Sequence, residues 1–233
     1  MRRLSKIALA FTGLIVGLPL LCLALLVAGA NTGIGRRWIE DAVSRFTDGK
    51  VAIDHLSGRF PDRLRIARIV VGDARGAWLT IDRAQLDWSP LRLIDGEVQV
   101  ENLAAAHVAV ARLPESAASG SGGPPRLPLG VSVDAFAIER LDLAAPVATA
   151  PAALRITGRL RLVSLAQGSV TLDGERLDSA GSYKLSGAAT PDGLTVQIAL
   201  TEPAHGLVSG FAGLPDPGPL TVAVRCGAIE HKM

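Results

Sequence analysis

From Val51 onward, apolar side chains recur at every second position. Val98 and Val100, Val108 and Val110, Leu154 and Ile156, Leu160 and Leu162, and Leu194, Val196, Ile198 and Leu200 alternate with polar or small residues. In an extended chain, successive side chains point to opposite faces, so each run predicts a strand with one apolar face. No run of helical period separates these strands, which argues against a βαβ enzyme architecture and for an antiparallel meander. Turn signals punctuate the pattern at Ser57-Gly58-Arg59-Phe60-Pro61-Asp62, Ser89-Pro90, Asp95-Gly96 and Pro191-Asp192-Gly193. About ten to twelve strands are predicted. In two runs the parity slips by one: Leu64 and Ile66 are followed by Ile69 and Val71, and Ile81 by Ala84. A bulge would keep each apolar set on one face.

A sheet with one apolar face must cover that face with another layer, another sheet or a ligand. Periodicity alone favours a closed β-sandwich, in which these residues form an ordinary core. The segment 114–130 (PESAASGSGGPPRLPLG) is small, polar and rich in Pro and Gly. It reads as a linker or surface loop dividing a first β segment, 51–113, from a second, 131–225. Residues 226–233 lose the alternation, and the ending reads as a truncated or frame-shifted reading frame.

Ahead of the strands, residues 7–29 are uncharged and apolar, interrupted only by Thr12, Gly13, Gly17 and Pro19. As a helix the run is ~35 Å long against a ~30 Å hydrocarbon core, so it is predicted to span a membrane through residues such as Leu14, Ile15, Leu18, Leu21 and Leu25. Arg2, Arg3 and Lys6 in the tail 1–6 put the N-terminus in the cytoplasm and the bulk across the membrane. A cleaved signal peptide is the rival, with Ala28-Gly29-Ala30 as the cleavage site, but the run exceeds the usual ~7–15-residue core. Cys22 does not mark a lipoprotein, because Leu21 stands where a small residue is expected. Within 36–47, apolar residues at 38, 39, 42, 43 and 46 share one helical face. This amphipathic helix suits either the headgroup zone, with Trp38 beside two arginines, or a cap on the first strand.

Composition excludes several classes. Of 233 residues, 48% are hydrophobic, and 24 basic against 22 acidic residues leave a formal charge of +2, too little to steer the chain toward nucleic acid. Aromatics are 4% of the chain, too few for base stacking. Cys22 and Cys226 build no disulfide framework. His55, His107, His205 and His231 lack metal-ligand spacing, and Asp54 and His55, as strand neighbours, point to opposite faces. Gly120-Ser121-Gly122-Gly123 is neither a phosphate loop nor a nucleophile elbow. The reading assigns no catalytic residue, cofactor or metal. Arg63, Arg65, Asp82 and Arg83 read as a solvated outer face. The inward candidates are Ile156, Leu160, Leu162, Val196 and Ile198.

The segment 56–114 carries a resemblance. Its elements are Leu56-Ser57-Gly58-Arg59-Phe60-Pro61, Gly76-Ala77-Trp78-Leu79, Leu86-Asp87-Trp88-Ser89-Pro90-Leu91 and Arg112-Leu113-Pro114. In that order they resemble the first block of the TamB family of envelope proteins, themselves similar to the AsmA-like group. The resemblance implies a long one-sided β-sheet rolled into an apolar gutter that conducts phospholipid between inner and outer membranes. It also implies partnership with the outer-membrane barrel TamA and a link to outer-membrane protein assembly. The family's TamA-contacting region lies at its far C-terminal end, beyond what this chain resembles. A dozen strands ~4.8 Å apart would give a gutter of only ~60 Å. On this reading Trp78 and Trp88 line the gutter entrance or pack the sheet, and Asp87, Ser89 and Pro90 shape a turn. The resemblance turns the expectation from sandwich to gutter.

Overall fold

The computed structural model describes residues 29, 32–114, 130–145, 147–148, 150–164, 167–191, 193–204, 206–208 and 218–229. The tail, the apolar run up to residue 28 with Leu14, Ile15, Leu18, Leu21 and Leu25, most of the 114–130 linker, His205, His231 and the last four residues lie outside them. Among the described residues no helix is long and apolar enough to cross a membrane.

The described chain is mainly β. Helix α1 (Gly33–Phe46) precedes strands β1 (Val51–Arg59), β2 (Arg63–Asp73) and β3 (Gly76–Ser89), a 3₁₀ turn (Pro90–Asp95) and β4 (Glu97–Val110). Then follow β5 (Gly130–Leu143), β6 (Ala152–Ser164), β7 (Gln167–Arg176), β8 (Ser182–Thr190), β9 (Gly193–Glu202) and β10 (Leu220–Ile229). The ten strands form one sheet in strict chain order. The sheet is open, with β1 and β10 at its two edges, so the closed sandwich does not form. The last strand continues through Cys226 to Ile229, past the expected end of the β segment at residue 225.

One expectation is corrected. The sheet is mixed, because β4 and β5 run parallel, with Val98 opposite Val131 and Val110 opposite Leu143. Every other neighbouring pair is antiparallel. A tight turn can only reverse the chain, whereas a parallel neighbour needs a connection long enough to return to the starting end. The chain between Val110 and Gly130 is such a connection. Alternation within each strand carries no sign of direction, so the sequence pattern could not show this.

The parity slips take a form different from the expected bulges. His55, Ala67, Arg83 and Ala106 drop out of the ladders at one level of β1 to β4, while the register on either side of them is unchanged. His55 and Arg83 adopt positive φ, 54° and 52°. The apolar face therefore takes a three-residue step at the same level in successive strands: Ile53 to Leu56, Ile66 to Ile69, Ile81 to Ala84, Ala105 to Val108. In β5 the step falls between Ile138 and Leu141, and there the register against β6 does shift. Because neighbours step together, Ile53, Leu56, Ile66, Ile69, Ile81 and Val108 stay on one face on both sides of the step. True bulges lie elsewhere, at Val71/Gly72, where Trp78 is the extra residue of β3, and at Asp87/Trp88.

Helix α1 starts at Thr32, whose hydroxyl accepts the Gly35 N–H at 3.1 Å. It lies along the free edge of β1. Glu40 Oε1 accepts the Leu56 N–H at 2.7 Å, and the Arg36 guanidinium donates to the Gly58 carbonyl at 2.8 Å. Side chains thus satisfy edge groups that would otherwise template another strand. The contacts with the first strand are made by Arg36 and Glu40, while Trp38 and Phe46 of the expected apolar face are exposed.

Candidate functional site

The registers join the inward positions of separate strands into continuous rows that run across the sheet. One row reads Gly58, Leu64, Leu86, Leu103 and Phe136, then Gly158, Leu172, Leu185, Ile198 and Val224, one residue from each strand. A second begins Leu56, Ile66, Ala84, Ala105, Ile138 and Ile156, and ends Gly174, Tyr183, Leu200 and Val222. A third runs Trp88, Val100, Val133, Leu160, Val170, then Gly187, Val196 and Cys226. A fourth passes through Val131, Leu162, Gly168, Ala189 and Leu194. The inward candidates Ile156, Leu160, Leu162, Val196 and Ile198 all lie on these rows. Thr157, Arg161 and Gln197 belong to the opposite face and are exposed.

No second layer covers this face among the described residues. The buried apolar side chains, such as Leu56, Val108 and Leu154, cluster toward β1–β6. Toward the far edge the face is open: Leu194 is 51% exposed, Ile198 38% and Val224 44%.

Glycines in the rows create recesses. A Cβ built on Gly158 would stand 2.6 Å from Leu172 Cδ2, and one on Gly168 would stand 2.8 Å from Leu162 Cδ2. Large side chains therefore lie over the bare backbone of the next strand, which keeps the face low and continuous. The face ends at a polar rim. Glu202, 1% exposed, accepts from the Tyr183 hydroxyl at 2.7 Å and from the Val208 N–H at 2.8 Å. Burial, reinforced by the Glu202 carboxylate, pushes the Tyr183 phenol up to about 12.

The motif residues separate into two groups at opposite ends of β1–β4. At one end Gly58 adopts φ +93°, and a Cβ there would collide with the Arg63 carbonyl, so only glycine fits. The Phe60–Pro61 peptide bond is cis. The Trp88 indole donates to the Pro61 carbonyl at 2.6 Å, and its backbone N–H donates to Asp62 at 2.9 Å. Asp87 holds the Arg65 guanidinium at 2.7 and 3.1 Å, and that hydrogen bonding lowers its pKa. Pro90 opens the 3₁₀ turn that Gly96 closes at φ +74°. At the other end Arg112 donates to Asp73 at 2.7 Å and to the Gly76 carbonyl at 2.7 Å. Trp78 accepts the Ala111 N–H at 3.0 Å through its carbonyl, Leu79 pairs with Val110, and Pro114 lies just beyond. These residues brace the first four strands. Within the third row, only Trp88 is both brace and lining.

Sequence reading missed the outer-face network. His107 places its two ring nitrogens 3.2 Å from Asp82 and 2.8 Å from Asp142, while Arg68 and Arg140 donate to the same carboxylates at 2.7 and 3.0 Å. The Arg68 hydrogen bond, opposed by partial desolvation and aided by His107, holds Asp82 below its usual pKa. Arg140 does the same for Asp142. It joins four strands, and its members lie too far apart in sequence to signal one another. Among the described residues no group of His, Cys, Asp and Glu is arranged to hold a metal.

Compared with known proteins, the chain matches no family model, no curated protein and no solved structure.

Proposed function

We propose that this chain is a TamB-like envelope protein, anchored in the inner membrane by its N-terminal apolar run. Its periplasmic bulk would hold or conduct phospholipid along the apolar face of its sheet, shaped as a gutter. The observation that carries the reading is the set of apolar rows, two of them crossing all ten strands, on an open sheet whose face no other layer covers among the described residues. An acyl chain laid along such a row meets apolar atoms at each ~4.8 Å step, for about 43 Å from β1 to β10. Each methylene kept from water contributes about 0.8 kcal/mol, so a two-chain lipid of roughly thirty methylenes would lose on the order of 25 kcal/mol in water. Only a continuous lining makes its passage feasible. No bond is made or broken, and the work is solvation.

The test is site-specific photocrosslinking in cells, with the probe at Ile156, Leu160 or Val196 and, in parallel, at Thr157, Arg161 or Gln197. Phospholipid captured only by the first set is expected. Capture by neither set would sink the lipid reading.

A second reading is supported by the edge of β10, which among the described residues pairs only with β9. A backbone edge of this kind can accept a strand of a client by β-augmentation, as an assembly factor for outer-membrane proteins would require. TamA enters only through the family resemblance. Consecutive strand residues present their N–H groups to opposite sides, so proline at Ala223 or at Val224 must block the free edge in one case. Loss of client assembly with that variant, with lipid capture intact, would favour this reading.

A further inference from the structure

Helix α1 carries a surface the sheet does not use. Arg36 and Glu40 reach the edge of β1, whereas Ile34 is 75% exposed, Trp38 74% and Phe46 91%. At 100° per residue, Ile34 and Trp38 lie nearly opposite Arg36, and Phe46, about two turns beyond Trp38, stands about 80° round the helix from it. With Arg36 and Glu40 engaged on β1, the remaining charges are Arg37, to one side of Ile34, and Asp41 and Arg45, an exposed ion pair at 3.9 Å on the same face as Ile34 and Trp38. Exposed Ile and Trp accompanied by two arginines and one carboxylate suit the boundary between headgroups and acyl chains.

We propose that this face of α1 lies flat on the bilayer and thereby sets the orientation of the whole sheet. The inference rests on residues 7–29 being a membrane anchor. Four peptide steps separate Gly29 from Gly33, so α1 starts within about 14 Å of the end of the apolar run. A helix held that close with Ile34 and Trp38 outward meets lipid before any other partner. Since α1 lies along the edge of β1 with Trp38 on its far side, β1 comes next above the membrane. Each later strand then stands ~4.8 Å further out, and β10 lies about 43 Å beyond β1. The strands run along the membrane plane, and the apolar rows lead away from it.

The experiment places the full chain in phosphatidylcholine/phosphatidylglycerol vesicles, with or without bromine on the acyl chains near the headgroups. The chain has three tryptophans, Trp38, Trp78 and Trp88, and Trp38→Phe removes the exposed one. Bromination is expected to reduce emission of the native chain, and Trp38→Phe is expected to abolish that loss. Equal quenching of both proteins, or none in the native chain, while the chain still floats with the vesicles, would overturn the proposal and leave the anchor reading standing. A chain that does not float would overturn both.

Discussion

Leu172 occupies the space above Gly158, its partner across the β6–β7 ladder, so closely that a Cβ at 158 would come within 2.6 Å of Leu172 Cδ2. Gly158→Val must therefore push Leu172 or the strand out of place. Overpacking of this kind costs about 1–3 kcal/mol. The expected result is a lower denaturant midpoint for the detergent-solubilised chain. Gly227→Ala, where a Cβ meets nothing within 4 Å, should leave the midpoint unchanged or raise it.

Leu160 and Val196 share one row, through Val170 and Gly187. Aspartate at either position would place a charge in the proposed lipid path, where desolvating it is unfavourable. Phospholipid that co-purifies with the native chain is expected to be lost in Leu160→Asp and in Val196→Asp. It should be retained in Gln197→Asp, one residue away on the other face. Equal lipid content in all three would argue against the row as a path.

Arg112 ties the end of β4 to the β2–β3 hairpin through Asp73 and Gly76, in a site where its side chain is 20% exposed and that of Asp73 is 16%. A lysine cannot reproduce the planar fork that serves both acceptors. Arg112→Lys is expected to destabilise the chain by about 1–3 kcal/mol, read as a shift in the unfolding midpoint. Amide exchange should rise most at Gly76–Leu79. An unchanged midpoint would mean the brace is dispensable.

Asp82 holds its proton less tightly when folded, first because of Arg68 and then His107, against an ordinary value of 3.8. A carboxyl lowered by folding contributes stability that is fully present above 3.8 and is lost as pH falls through the lower folded value. Asp82→Asn removes that contribution. Between about pH 5 and pH 2 the native chain should therefore lose stability more steeply than the variant, as followed by acid titration of the unfolding midpoint. Parallel titration curves would show that the His107 network adds nothing to acid stability.

Much of the fold was legible because one-faced strands announce themselves locally. The alternation around Leu154–Leu162 and Leu194–Leu200 marked strands and their inward faces directly. Even the slip at Ala67 was visible, but its cause was not. A single strand shows only a missed beat, whereas the coordinated step at His55, Ala67, Arg83 and Ala106 exists only between neighbours. Two braces were half legible. Trp88 and Arg112 stood out, but Pro61 as hydrogen-bond acceptor and Asp73 as ion partner did not, since each lies more than twenty residues away.

By itself the sequence determined that this chain builds a sheet with one apolar face, because side-chain direction in a strand depends only on neighbours two residues apart. Direction and alignment between strands depend on contacts across the sheet. Tertiary structure alone therefore decided that β5 runs parallel to β4, that the strands keep chain order without closing, and that scattered leucines and glycines meet in continuous rows.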